Sequence, residues 1–305
     1  MVVAPTDAAV DEAQPVLHAR RRRPGGLLLG IVAAAIVVGA GAGWLTSRDG
    51  EAARQAIVDD PGVVHVHGLG INPADGALYA ATHTGLFRLD DSGNVARIAD
   101  RYQDTMGFTV AGPDQFLASG HPDLRDEELR VEGKPPLLGL IESTDAGRTW
   151  QVRSLLGDAD LHTITAIDNL LVAYDSTNER VLASSDGGRT WETRAEIGLV
   201  DLGVDPADTD RIMAITLNGR VQTSSDGGRA WTPDPAAPAG PVVMRWGENG
   251  LWAGAEDGTL YRADPTAGRW DEVRRFDGAA EAVLDDRGAP VATEQPGTWT
   301  PPNGG

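Results

Sequence analysis

The sequence has no cysteine and only one lysine, Lys134, among 305 residues. The absence of cysteine excludes a disulfide framework, although a domain of this size can be stabilised by its core alone. Basic residues are scarce overall, since 26 Lys and Arg stand against 45 Asp and Glu and give a formal net charge of −19. Nucleic acid binding depends on neutralising phosphates with Lys and Arg, so this composition argues against a nucleic acid partner. Cations fit the charge better than anions do.

Charge is also absent from residues 27–45, a run of 19 residues that follows the four arginines Arg20–Arg23. Such a run is close to the ~20 residues that a membrane-spanning helix needs, and the basic block predicts a cytoplasmic N-terminus. We interpret residues 1–24 as a disordered cytoplasmic segment and residues 25–45 as a transmembrane signal anchor. The protein is then expected in the cell membrane as a single-pass protein, with the remaining chain outside. A signal peptide cleaved near Ala40–Ala42 is the alternative, and it would give a secreted protein.

Three copies of one eight-residue pattern dominate the rest of the chain. Ser143–Trp150, Ser184–Trp191 and Ser224–Trp231 have the sequences STDAGRTW, SSDGGRTW and SSDGGRAW. The tryptophans are 41 and 40 residues apart, a period typical of folds with one four-stranded unit per repeat. In each copy, Asp can accept hydrogen bonds from the turn, Gly allows a positive φ and Trp provides a large apolar contact. We therefore interpret nine residues as structural: Asp145, Gly147, Trp150, Asp186, Gly188, Trp191, Asp226, Gly228 and Trp231.

This pattern resembles the Asp-box, or BNR, repeat of sialidases, sortilin-type receptors and photosystem-assembly propellers. The run from His65 to Trp150 also resembles actinobacterial membrane-anchored proteins that are labelled glycosylhydrolases. Both resemblances imply an all-β β-propeller. The spacing of strands and turns predicts about six four-stranded blades over residues 61–299, with seven as the alternative. Residues 46–60 are interpreted as a tether and residues 300–305 as a disordered tail.

The histidines form the most informative pattern, because five of the six follow the predicted anchor. The innermost strand comes first in each unit of such a propeller, and the Asp-box turns lie on the opposite face from the entries of these strands. Imidazole suits Zn, Cu and Ni, and a thioether favours copper, so a transition-metal cofactor, Cu or Zn, is expected on this face. The predicted metal ligands are His65, His67 and His162 at the openings of first strands, Met106 at the matching place in unit two, and His83 and His121 in loops between second and third strands. The alternative is that these histidines are bound by backbone carbonyls at strand ends.

Glycoside hydrolysis is a second hypothesis, since it needs two carboxylates that flank the scissile bond. Four acids lie near first-strand entries, and four lie in an insertion over His121–Pro136: Asp104, Asp160, Asp201 and Glu281, then Asp123, Asp126, Glu127 and Glu128. The sequence departs from sialidases, because it lacks their Arg-Ile-Pro segment and their paired Tyr and Glu. Sialidase activity itself is therefore not expected, and no catalytic residue is assigned.

A third hypothesis is a non-catalytic receptor or assembly module, which the sortilin and photosystem-assembly resemblances imply. Such a module would bind a protein or carbohydrate ligand, and the charged insertion could contact the partner. The part outside the membrane is expected to be monomeric.

Overall fold

The computed structural model of the chain describes residues 60–90, 93–247, 250–264, 268–276, 278, 280–283 and 291–293. The predicted cytoplasmic segment, anchor and tail lie outside these residues, and so does the predicted tether apart from its last residue, Asp60. Within the described ranges, no helix is long and apolar enough to cross a membrane. The one helical element in the described part is a 3-10 turn at Glu127–Leu129, inside the insertion.

Twenty strands form five four-stranded antiparallel sheets, each in sequential order. The first contains β1 (Val66–Ile71), β2 (Leu78–Thr82), β3 (Gly85–Leu89) and β4 (Val95–Arg97). The second contains β5 (Asp104–Gly112), β6 (Gln115–His121), β7 (Leu140–Ser143) and β8 (Gln151–Ser154). The third contains β9 (Leu161–Ile167), β10 (Leu170–Asp175), β11 (Arg180–Ser184) and β12 (Glu192–Glu196). The fourth contains β13 (Leu199–Val204), β14 (Ile212–Thr216), β15 (Val221–Ser224) and β16 (Thr232–Pro233). The fifth contains β17 (Pro241–Gly247), β18 (Gly250–Ala255), β19 (Thr259–Asp264) and β20 (Arg269–Arg275).

The prediction of an all-β propeller is confirmed, but the predicted number of about six four-stranded blades differs from the structure. The described residues form five four-stranded blades and one two-stranded sheet, which consists of β21 (Ala280–Val283) and β22 (Val291–Thr293). Strand β21 contacts both β17 and β1, so this short sheet fills the gap between the fifth blade and the first. The unit that contains it has no copy of the repeated eight-residue pattern, and most of its other residues lie outside the described ranges.

The hydrophobic core lies between neighbouring blades, and the repeated tryptophans are part of it. Trp150 is buried with residues of the first two blades, such as Tyr79 and Phe116. Trp191 packs between the second and third blades, and Trp231 packs between the third and fourth. Each blade therefore covers the apolar face of the next one, which is why a single blade cannot be stable alone.

The turns of the three repeated eight-residue segments join the third and fourth strands of their blades and share one hydrogen-bond pattern. In the first, Ser143 Oγ donates to Asp145 Oδ1 over 2.8 Å and accepts the Gly147 N–H over 2.8 Å. Asp145 also accepts the Thr149 N–H over 2.8 Å and the Thr149 hydroxyl over 2.6 Å. The same serine, aspartate and backbone contacts recur in the other two turns. These carboxylates are occupied by their own turns, so they have no part in the site described below.

A β-bulge interrupts each innermost strand near its start. In β1, for example, Val66 pairs with Thr82 and Gly68 pairs with Ala81, so His67 has no partner in the ladder. Such a bulge bends the strand and redirects the side chain of the extra residue. All six extra residues line one cavity, and we call them the bulge ring: His67, Met106, His162, Val200, Val242 and Glu281.

Candidate metal centre

A cavity of about 220 Å³ lies where the innermost strands converge. Its wall is formed by β1, β5, β9, β13, β17 and β21, which are the first strands of the five blades and of the short sheet. The bulge ring gives this wall an apolar side and a side with potential metal ligands. Its residues from β13 and β17 are valines, whereas the other four carry N, O or S ligand atoms. Potential ligands therefore collect on one side of the cavity.

Three histidines meet at this side. The nitrogens of His65, His67 and His83 that could bind an ion all lie within 4.8 Å of one another. His67 Nε2 lies 3.2 Å from His83 Nδ1, and the His65 ring stacks on the His83 ring with centroids 5.1 Å apart. His67 comes from the bulge in β1, and His83 comes from the turn between β2 and β3. One blade thus supplies all three imidazoles.

The backbone of His65 is in an uncommon conformation. Its φ is +47°, in the left-handed region that residues other than glycine seldom adopt, although histidine does so more often than most. The strand begins only at Val66, so strand alternation does not bring His65 next to His67 as their spacing would predict. The turn at His65 and the bulge at His67 do so instead. Strained backbone of this kind is concentrated at functional sites.

Carboxylates hold the three histidines in place. Asp104 Oδ1 lies 2.7 Å from His83 Nδ1 and 3.8 Å from His67 Nε2. Glu281 Oε1 lies 2.7 Å from His65 Nδ1, and Glu281 Oε2 accepts the Val66 N–H over 3.0 Å. Two of the acids considered for glycoside hydrolysis are therefore partners of the predicted metal ligands.

The remaining predicted histidines gather around another carboxylate, Asp160. His162 Nε2 lies 2.9 Å from Asp160 Oδ2, and His121 Nε2 lies 3.8 Å from the same oxygen. His121 Nδ1 faces back toward Asp104, whose Oδ2 is 3.2 Å away. In the register of the sheet, Asp104 is paired with His121, which explains their contact. Imidazoles and carboxylates thus alternate across the first three blades.

The electrostatics of this array favour mixed protonation states. Burial lowers the pKa of His67 to about 3, and the nearby His83 and His65 act in the same direction. The hydrogen bond to Asp104 raises the pKa of His121. Burial would raise the pKa of Asp104, but hydrogen bonds from His121 and His83 outweigh it and lower that pKa. His67 is consequently a neutral imidazole at physiological pH, which is the form that binds metals.

The predicted metal ligands therefore form two clusters of histidines, and Met106 belongs to neither. His65, His67 and His83 form one cluster, whereas His121 and His162 surround Asp160. Met106 lines the cavity as a member of the bulge ring. The ring contacts described above are with carboxylates and other imidazoles, not with the backbone carbonyls of the alternative interpretation.

The insertion packs against the blades instead of extending freely. Asp123 accepts hydrogen bonds from Arg125 Nη2 over 2.7 Å and from the Tyr102 N–H over 3.0 Å. Arg101 donates to Asp126 over 2.6 Å, and Leu129 is buried in the core of the first two blades. The first two acids of this segment are thus ion-paired.

Asp201 braces three blades. Its Oδ1 accepts hydrogen bonds from the Thr163 hydroxyl of β9 over 2.7 Å and from the Leu202 N–H over 2.8 Å. Its Oδ2 accepts the Met244 N–H of β17 over 2.7 Å. Burial raises the pKa of Asp201 to about 6, although these bonds and the charge of Arg245 act to lower it. Sequence reasoning named Asp201 as a possible catalytic acid but gave no signal of this bridging position.

This raised pKa makes a prediction for stability. The folded-state pKa of about 6 lies above the unfolded value near 3.9, so Asp201 stabilises the protein while it is protonated and stops doing so as it ionises. The free energy of unfolding of the wild type, minus that of Asp201→Asn, should fall between about pH 4 and about pH 6.5. Two pKa units correspond to about 3 kcal/mol, and the partial exposure of the side chain reduces this to about 1–2 kcal/mol. Urea unfolding of both proteins in a chelating buffer measures the difference, and a flat or rising difference would contradict it.

No protein-family model and no curated protein matches the sequence. Solved structures do match. A gluconolactonase from Xanthomonas campestris is 14% identical with a TM-score of 0.60, over 76% of this chain and 84% of that chain. A chain of a nidogen/laminin complex is 14% identical with a TM-score of 0.54, over 71% and 81% of the two chains. The GH74 xyloglucanase from Xanthomonas campestris is 21% identical with a TM-score of 0.50, over 73% of this chain and 39% of that one.

These likenesses concern the fold alone, because all the identities are low. The chain is a β-propeller protein, and it spans about two fifths of the length of the xyloglucanase.

Proposed function

We propose that this propeller binds a transition metal ion through His65, His67, His83 and Asp104, on the face opposite its Asp-box turns. The observation that carries the proposal is the convergence of three imidazoles and a carboxylate oxygen. A zinc ion with bonds of about 2.0–2.1 Å in tetrahedral geometry places its ligand atoms about 3.4 Å apart. The three measured separations among His67 Nε2, His83 Nδ1 and Asp104 Oδ1 are 3.2, 2.7 and 3.8 Å. Only small side-chain adjustments are needed to surround an ion.

The surroundings of His65 support the same proposal. Metal-binding histidines usually donate their second N–H to a carboxylate, which fixes the tautomer and the ring orientation. Glu281 occupies this place at Nδ1 of His65. Side-chain exposure differs accordingly, with 47% for His65 and 8% for Glu281, so the buried acid orients a ligand that is open to solvent.

Zinc and copper are the ions that the donor set fits best. Imidazole suits both, and a nearby carboxylate is compatible with zinc. Met106 on the cavity wall would add a thioether for copper. The cavity in front of His65 and His67 leaves room for a further small ligand on the bound ion.

The place of this activity in the cell is also part of the proposal. The basic block and apolar run at residues 20–45 support a membrane tether with the propeller outside the cytoplasm. The Asp-box pattern supports membership of the Asp-box propellers. A protein or carbohydrate partner at the same face is compatible with this role.

Glycoside hydrolysis is the alternative, and a xyloglucanase does share the fold. The contacts of the acids favour metal binding, because Asp104, Asp160 and Glu281 are bonded to histidines and Asp201 braces three blades. In a glycosidase, two of these carboxylates would have to give up their present contacts in order to act on the substrate.

The test is metal analysis of the purified full chain. After incubation with Zn²⁺ or Cu²⁺ and extensive dialysis, at least one ion per chain is expected to remain, and a strong chelator should remove it. Binding should also raise the melting temperature. At a free ion concentration 100 times Kd, it should add about 2.7 kcal/mol to the free energy of unfolding. Protein that retains no metal above a buffer control would overturn the proposal. Turnover of a glycoside panel by such metal-free protein would favour the alternative.

A further prediction concerns Glu281. Replacing it by glutamine removes the charge behind His65 while keeping the side-chain size, so the affinity for Zn²⁺ should fall about 10–100-fold. Competition with a chromophoric chelator measures this change. Glu142→Gln is a matched control, since Glu142 lies on β7 and pairs with Arg153. Equal effects of the two substitutions would show that Glu281 does not act through His65.

A further inference from the structure

We infer that the site holds two metal ions, bridged by Asp104, with the second ion bound by His121, Asp160 and His162. This inference rests on the proposed function, because it treats the three-histidine cluster as the first ion position. The second position has two imidazoles and one carboxylate, a set that binds transition metals with coordination positions left open.

Two separations in the second cluster lie in the range that an ion needs. His162 Nε2 and His121 Nε2 lie 2.9 and 3.8 Å from Asp160 Oδ2, close to the spacing of about 3.4 Å expected around a tetrahedral ion. The three side chains come from different structural positions. His162 belongs to the bulge in β9, His121 ends β6, and Asp160 directly precedes β9.

Asp160 shows independently that a partner is missing. Its side chain is only 7% exposed, yet within the part of the chain that the structure describes its Oδ1 has no hydrogen-bond partner. A buried oxygen left without a partner destabilises the folded state, and more so when it is charged. Among the described residues, the contacts of Oδ2 are with His162, His121 and Ser176, whose Oγ lies at 3.4 Å. A cation bound by both oxygens of this carboxylate would compensate the cost, and the two histidines beside Oδ2 would be its further ligands.

Asp104 connects the two positions. One oxygen faces the first cluster, with Oδ1 at 2.7 Å from His83, and the other faces the second, with Oδ2 at 3.2 Å from His121. A carboxylate that offers one oxygen to each of two ions is a bridging ligand, and two-metal sites hold their ions about 3.5–4 Å apart. His67 and His162 both line the central cavity, so both ions would face the same small ligand.

The geometry of Asp104 depends on Gly120. This glycine has a φ of +131°, and a Cβ there would lie 2.1 Å from the Asp104 carbonyl oxygen. Only glycine at this position lets β6 approach β5 closely enough for His121 to pair with Asp104.

The test uses the purified full chain, the metals alone and one set of variants. Equilibrium dialysis with Zn²⁺ should give two ions per wild-type chain and one per His162→Ala chain. Protein loaded with two equivalents of Cu²⁺ should give the half-field electron paramagnetic resonance signal of a coupled pair. Asp104→Asn should lose that signal. If His162→Ala does not fold, His121→Ala tests the same position, since its side chain is 42% exposed.

The outcomes separate this inference from the proposed function. One ion in the wild type, insensitive to His162→Ala, would overturn the second position and leave the first. Two ions with the spectrum of isolated Cu²⁺ would overturn the bridge. No bound metal in the wild type would overturn both proposals.

Discussion

Replacing His67 by alanine is expected to weaken binding of the first metal ion by more than about 100-fold. Groups that only support a metal ligand contribute about 10–100-fold to affinity, and His67 is proposed as a ligand itself. Its side chain is 10% exposed, and its Nε2 lies 3.2 Å from His83 Nδ1 and 3.8 Å from Asp104 Oδ1, so the substitution removes one of the atoms proposed to surround the ion. Isothermal titration with Zn²⁺, together with the melting temperature at matched free metal, measures the loss.

The matched control is Val242→Ala, which shortens a bulge-ring side chain of the same cavity that carries no ligand atom. It should leave binding of the first ion within a few-fold of wild type. Without metal, His67→Ala should be close to wild type in stability, because it removes a buried imidazole that has other imidazoles as neighbours. Retention of wild-type affinity by His67→Ala would contradict the assignment, and equal losses in both variants would show a general disturbance of the cavity.

Replacing Gly107 by alanine is expected to destabilise the fold by about 3 kcal/mol or more. Gly107 follows Met106 on β5, where the second blade meets the third. A Cβ at this position would lie 2.0 Å from the Leu161 carbonyl oxygen and 3.3 Å from Ile164 Cδ1. The obstacle is backbone, so a side-chain rotation cannot relieve it. The two blades would have to separate beside His162, and metal affinity should fall as well.

Gly112→Ala is the control for this prediction, since Gly112 ends the same strand. Its added Cβ would meet only the end of the Gln115 side chain, at 3.4 Å, and the cost should stay below about 1 kcal/mol. Guanidinium unfolding of both variants gives the comparison. Similar losses for the two glycines would mean that close approach of the blades at Gly107 is unimportant.

Much of the fold could be predicted because the turn chemistry repeats. A serine, an aspartate and a glycine at fixed spacing specify one turn, and the 40-residue period then predicts four strands per unit. The number of blades was less predictable. The unit after Trp270 has no such turn, and only two strands, β21 and β22, are described there.

Position within the repeat predicts that the histidines share one face, but it does not predict how they group. It predicts His83 and His121 in equivalent loops, whereas His83 lies in a turn and His121 is the last residue of β6. Their actual partner is Asp104 of β5, which lies in the next blade for His83 but in the same sheet for His121. Acids are so numerous in this sequence that composition cannot identify the ones that face imidazoles.

The bulges explain why other side chains of the site could not be placed from the sequence. A bulge shifts the ladder by one residue, and simple alternation then assigns side chains to the wrong face. His67 is redirected in this way, and so is Glu281, which sequence reasoning considered only as an acid for glycoside hydrolysis.

The bulge ring has a consequence for how such proteins can diversify. Its six residues stand outside the ladder pairing, so exchanging one of them leaves the inter-strand register unchanged. Val200 and Val242 already occupy two of these positions without any ligand atom. Evolution or design could therefore alter the chemistry of the cavity one blade at a time. The hydrophobic cores between the blades would continue to specify the same fold.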